Sequence, residues 1–130
     1  MSTIKAVVKQ GSEAVFSEQE LEGRVERARK LLSERGIDVM IVTGPENIFY
    51  LTGQQTPGYY TYQALLLPVD AEPIFIVRQL ELNNLVANSY LKNVRPYLDN
   101  ADPVTETISA IEDMGWPGKR IAIDERGGVL

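Results

Sequence analysis

Four apolar residues in a row, Val39-Met40-Ile41-Val42, follow Gly36-Ile37-Asp38 and lead straight into Thr43-Gly44-Pro45. The run is rich in β-branched side chains and too short for a helix, so it reads as a strand. With no polar residue to turn outward, that strand has to be covered on both faces. It belongs centrally in a sheet with layers on each side, which restricts the chain to α/β folds. The Gly44-Pro45 turn and the segment behind it, with Ile48, Phe49 and Leu51 to bury, mark a rim where such a sheet presents groups.

The flanking stretches supply the layers. Ser17 caps a helix, Glu20 completes a capping box, and Phe16 against Leu21 forms a hydrophobic staple. Leu21, Val25, Ala28, Leu31 and Leu32 make one stripe, leaving Arg24, Arg27, Arg29, Lys30 and Glu34 for solvent, and Gly36 with Ile37 closes the helix. Past the turn, Asn47 caps a short helical turn that Gly53 ends. An extended segment opens at Tyr59 and runs through Ala64 to Pro68; four residues of hairpin length join it to a strand at Pro73 to Val77. A helix follows at roughly Gln79 to Tyr90, then a strand at Asn93 to Leu98. Asp102-Pro103 opens a helix with Val104, Ile108, Ile111 and Met114 as its stripe, and Ile121 to Ile123 is a fifth strand. Residues 1–15 have mixed polarity broken at Gly11-Ser12 and read as a lead segment; 16–130 read as one domain.

Composition narrows the function. The net charge of -5 disfavours nucleic acid and anionic membrane as partners. No apolar run approaches the ~20 residues of a membrane span, and the N-terminal residues lack the apolar core of a signal peptide, so the expected location is the cytoplasm. The chain has neither cysteine nor histidine. Ser-His and Cys-His catalysis are thereby excluded, and a protein-only metal site would have to be built from Asp and Glu oxygens alone.

The remaining candidates each have two readings. Asp124-Glu125, at the end of the last strand, is placed where α/β sheets bind ligands, or it merely connects the chain. Gly127-Gly128 lacks the flanking pattern of a phosphate loop. Tyr59, Tyr60 and Tyr62, with Gln54, Gln55 and Gln63, form a patch suited to an interface, with part of it turned to the core. Arg78, after an apolar strand, reaches an anionic group at the rim or pairs with a surface carboxylate. In Asn47 to Gly53 the plain reading is a cap, packed Phe49 or Tyr50 with Leu51, and a glycine stop.

Taken in order, Phe16-Ser17-Glu18 before an Arg-rich helix, Gly36-Ile37-Asp38 into an apolar strand, and Thr43-Gly44-Pro45-Glu46-Asn47-Ile48-Phe49-Tyr50-Leu51-Thr52-Gly53 carry a resemblance. The chain resembles the N-terminal domain of the creatinase, prolidase and Xaa-Pro aminopeptidase family over about Phe16 to Asp124, including Arg120-Ile121-Ala122-Ile123-Asp124. The resemblance implies a three-layer α/β domain, ribonuclease H-like, with a mixed sheet of five to six strands and helices on both faces. It also implies, in the whole protein, a C-terminal "pita-bread" catalytic domain that in the peptidases holds two divalent metal ions through two Asp, one His and two Glu. No position here matches those metal motifs, so no catalytic residue or cofactor is carried over to this chain. What it implies instead is a homodimer in which this domain overhangs the partner's active site and limits access to small substrates. Phe49, Tyr50, Tyr59, Tyr60, Tyr62 and Arg78 are the residues expected at that mouth, from their positions at strand ends and loops. The alternative is an independent small-molecule-binding α/β module that uses the same rim.

Overall fold

The computed structural model describes residues 8–55 and 61–124. Tyr59, Tyr60, the Pro57-Gly58 turn, Glu125 and Gly127-Gly128 lie outside the described residues. The elements in chain order are α1 (Glu18–Glu34), β1 (Val39–Val42), α2 (Pro45–Thr52), β2 (Ala64–Pro68), β3 (Ile74–Arg78), a 3-10 turn (Gln79–Glu81), α3 (Leu82–Asn88), β4 (Asn93–Tyr97), α4 (Pro103–Asp113) and β5 (Ile121–Ile123). The strands form one sheet in the order β4-β3-β2-β1-β5. Only β2 runs against its neighbours; β1 pairs parallel with β5, and β3 parallel with β4. The carboxyl ends of four strands therefore share one rim with the start of β2.

Alternation along the strands sorts the core into two layers, because successive side chains point to opposite faces. Val42, Leu65, Leu67, Phe75 and Val77 meet Leu32, Ile48, Leu51 and Leu85 on the face of α1, α2 and α3. Val39, Ile41, Ala64, Leu66, Ile74 and Ile76 point the other way, toward Ala110 of α4, Tyr97 and Trp116. Helices thus cover both faces of a mixed five-stranded sheet. The all-apolar reading of β1 holds, but β2, with every residue buried, is the central strand and β1 lies next to the β5 edge.

Several local signals act as their chemistry predicts. The Ser17 hydroxyl accepts from the Glu20 amide at 3.1 Å. At the other end of α1, Ile37 N–H donates to Leu32 O (2.9 Å) and Gly36 N–H to Ser33 O (3.1 Å), a Schellman closure with Gly36 at φ 70. Asp102 caps α4 by accepting from Val104 N–H at 3.0 Å.

Other expectations are corrected. The Glu20 carboxylate turns to Arg24 (3.1 Å) and Phe16 packs on Phe49, with centroids 5.2 Å apart. Arg24 and Arg29 are not left to solvent. Arg29 binds Glu26 and donates to the carbonyls of Pro68 and Ala71, bracing the turn between β2 and β3. Leu31, expected in the stripe, is exposed. The stripe of α4 is the largest departure: Thr107 and Ala110 face the sheet, Ile111 packs partly, and Val104, Ile108 and Met114 are exposed. The Thr107 hydroxyl engages the Tyr62 hydroxyl at 2.9 Å, and Arg95 of β4 holds Asp113 at 2.6 Å, which together set the helix's rotation. Of the lead segment, Gly11 N–H donates to Val86 O and Glu13 N–H to Ala87 O, both at 2.8 Å, so it packs along α3.

Candidate functional site at the sheet rim

The rim is organised by Asp124, which directly follows β5 and is buried. One carboxylate oxygen accepts from Thr43 N–H (2.9 Å) and Thr43 Oγ1 (3.2 Å). The other accepts from Gly44 N–H (3.0 Å) and Asn47 Nδ2 (2.9 Å). Asn47 is therefore not the cap of α2. Gly44 holds that position with Pro45 at the first helical residue, and the Asn47 amide reaches back to the carboxylate. A Cβ on Gly44 would lie 3.1 Å from the Asp124 oxygen, so any larger residue there would have to displace the carboxylate by a few tenths of an ångström. Burial pushes the Asp124 pKa up, but the hydrogen bonds from Asn47, Thr43 and Gly44 outweigh it and hold the carboxyl below the ordinary aspartate value. A carboxylate with both oxygens committed in this way is a clamp between β5, β1 and α2, with no free lone-pair direction suited to a general base.

At the far end of α2, Gly53 adopts φ 81, and a Cβ there would meet the Asn88 carbonyl oxygen at 2.9 Å. The glycine stop thus also permits α3 to approach closely. Next to it Gln54 is 1% exposed, and neither atom of its amide has a hydrogen-bond partner among the described residues.

The expected mouth residues divide between two places. Arg78, at the end of β3, grips Asp99 through Nε (2.7 Å) and Nη2 (3.0 Å), which is the surface-carboxylate reading; this bond lowers the Asp99 pKa. Tyr62 lies on the α4 face just before β2, its hydroxyl on Thr107 and its carbonyl accepting from the Tyr97 hydroxyl at 2.6 Å. Burial raises the Tyr97 pKa, which keeps that donor protonated. Phe49 and Tyr50 lie on the other side of the sheet. There the Arg24 guanidinium sits 4.0 Å from the centroid of the Phe16 ring and 4.6 Å from that of Tyr50, and donates to the Tyr50 carbonyl at 2.9 Å. Tyr62 and Arg78 share the rim; Phe49 and Tyr50 belong to the α1–α2 contact.

Sequence reasoning flagged Asp124 by its place after a strand but had no signal for its partners, which lie 77 to 81 positions away. Arg24 was missed because its partners are aromatic groups on another element. Among the described residues no three Asp or Glu side chains converge as metal ligands, and no helix is long and apolar enough to cross a membrane.

The model of the Creatinase/Prolidase N-terminal domain matches residues 24–128. The ectoine hydrolase of Halomonas elongata is 29% identical over 112 residues, covering 78% of this chain and 28% of that protein. The Xaa-Pro dipeptidase of Lactobacillus delbrueckii subsp. lactis is 27% identical over 103 residues, covering 79% of this chain and 28% of that protein. The chain thus matches little more than a quarter of the length of these relatives. In fold, it is similar to the N-terminal domain of Xaa-Pro dipeptidase from Lactobacillus brevis, with a TM-score of 0.72, 20% identity, and coverage of 82% of this chain and 79% of that one.

Proposed function

The chain belongs to the creatinase/prolidase N-terminal domain family, and we propose that it is the non-catalytic first domain of a longer metal-dependent hydrolase, where it builds a dimer and limits access to the active site. One observation carries this reading: the family match fills residues 24–128, while the stretches aligned with the ectoine hydrolase and the Xaa-Pro dipeptidase are each 28% of those proteins. Residues 16–130 are the domain, and residues 1–15 its lead. A metal pair does not fit this chain, which has no histidine or cysteine and no converging trio of described carboxylates. The continuing polypeptide would hold it. Tyr59, Tyr60, Tyr62 and Arg78 are proposed to edge the mouth, with Phe49 and Tyr50 supporting the element behind it. The cytoplasm is the proposed location.

The division of labour is tested by turnover. The 130-residue chain, supplied with divalent metal and either Xaa-Pro dipeptides or ectoine, is expected to hydrolyse neither. The whole protein is expected to hydrolyse one class. Metal-dependent hydrolysis by the short chain would refute the reading.

A groove of about 370 Å³ lies between α1, Leu51, Glu72-Pro73 and Tyr90 to Lys92, before the starts of β3 and β4 and so opposite the rim, and it is not the rim site that the alternative of a small-molecule-binding module calls for. Saturable micromolar binding of a metabolite by the 130-residue monomer would support that alternative.

A further inference from the structure

The groove at the end of the sheet opposite the rim has a volume of about 370 Å³, within the roughly 300–1,000 Å³ of small-molecule pockets. Its floor is apolar. Leu21 and Leu51 are buried there, and the partly buried Val25 and Leu91 pack against the same core. One wall is α1, which contributes Glu18, Glu22 and Glu26. The other is Glu72-Pro73 with Tyr90 to Lys92.

The charge beside this floor is not balanced from within the described chain. Residues four apart lie on one face of a helix, so Glu18, Glu22 and Glu26 form a row with an axial spacing of about 6 Å. Like charges in that arrangement repel. Elsewhere α1 matches its glutamates with arginines: Glu20 binds Arg24 at 3.1 Å, and Glu26 binds Arg29 at 2.7 Å. Glu18, Glu22 and Glu72 have no ion pair among the described residues. Arg29 also lines the groove, but its guanidinium is held by Glu26 and by the carbonyls of Pro68 and Ala71. Among the described lining residues, Lys92 is the cation left to oppose three carboxylates.

We propose that this groove binds a linear aliphatic polyamine, its methylenes on the apolar floor and its ammonium groups against Glu18 and Glu22 on one wall and Glu72 on the other. The sign of the charge selects a cation, and the spacing selects among cations. Carboxylates stepped about 6 Å apart along a helix suit ammonium groups separated by three- or four-carbon spacers. A compact divalent ion instead draws its oxygen ligands to one centre, at about 2.0–2.6 Å. The floor makes the same distinction, because an alkyl chain lies along apolar surface while its charged ends stay at the wetter walls. Binding also relieves the repulsion within the α1 row. The groove is remote from the rim, so its occupancy is read by binding and not by turnover.

Titration calorimetry of the 130-residue chain with spermidine at low ionic strength tests this, with magnesium chloride at matched ionic strength as the control for bulk charge. Saturable one-to-one binding is expected, with a submillimolar Kd that weakens as salt is added. Glu18→Gln with Glu22→Gln is expected to weaken it at least tenfold, and Glu34→Gln, on the same helix away from the groove, to leave it unchanged. Butylamine, with one ammonium group, is expected to bind at least tenfold more weakly than putrescine, which has two. Spermidine should raise the Tm of the parent but not that of the double variant. Without ligand, the double variant loses a like-charge repulsion, so its Tm should equal or exceed the parent's. Absence of saturable binding, equal binding by the double variant, an equal response to magnesium, or a lowered Tm of the unliganded double variant would overturn the proposal. Binding lost with these two substitutions belongs to the groove and leaves the access reading of the rim untouched.

Discussion

Asp124 accepts four hydrogen bonds from three residues 77 to 81 positions earlier, and so ties the last described strand to the turn that leaves β1. Asp124→Asn turns one acceptor oxygen into a donor facing other donors, so a loss of about 1–3 kcal/mol is expected in urea unfolding. The pH dependence has a definite sign. The folded carboxyl titrates below the ordinary value of 3.8, so between those two values the unfolded chain binds more protons. The contribution is complete above the unfolded value and lost as pH falls through the folded one. Asp124→Asn should therefore flatten that acid limb, as measured by unfolding midpoints from pH 5 down to pH 2. An unaltered limb would mean that the clamp does not couple to folding. None of this is visible locally in the sequence: Asp124 stands out only as a carboxylate after a strand, and Asn47, four residues past Thr43, looks like a cap.

Among the elements, α1 shows what short-range signals specify and where they stop. Its start at Ser17 and its Gly36-Ile37 closure follow from backbone chemistry within a few residues, so both were legible. The roles of its arginines were not. Arg24 looks like a surface cation in a helical wheel, yet it stacks on Phe16 and Tyr50 and bonds the Tyr50 carbonyl, fastening α1 to the end of α2. Arg24→Ala is expected to cost about 1–3 kcal/mol, and Arg24→Lys to recover only part of it, since an ammonium cannot stack as a planar fork does. Thermal or urea unfolding of the two variants checks this; equal stability of Arg24→Ala and the parent would refute it. In α4 the period was right and the rotation was wrong. Small Ala110 and hydrogen-bonded Thr107 let the helix approach the sheet, while the Arg95–Asp113 pair turns the bulkier stripe aside.

For the molecule as a whole, the α/β class, the strand count and the family were legible from alternating apolar runs, caps and the Asn47 to Gly53 stretch. Of the residues expected at a mouth, four are described, and they fall in two places. Tyr62 and Arg78 share the rim, whereas Phe49 and Tyr50 serve a helix contact, because helices place neighbouring residues on different surfaces while strand ends bring distant ones together. We propose one account on the family match and the length of the relatives: this domain shapes access and assembly, and the chemistry lies in the polypeptide beyond it. The most direct test is steady-state kinetics of the whole protein carrying Tyr60→Ala, Tyr62→Ala and Arg78→Ala, with its oligomeric state measured by light scattering. The account predicts a KM raised severalfold or a weakened dimer, with kcat nearly unchanged. Unchanged KM and an intact dimer, or a collapse of kcat alone, would contradict it.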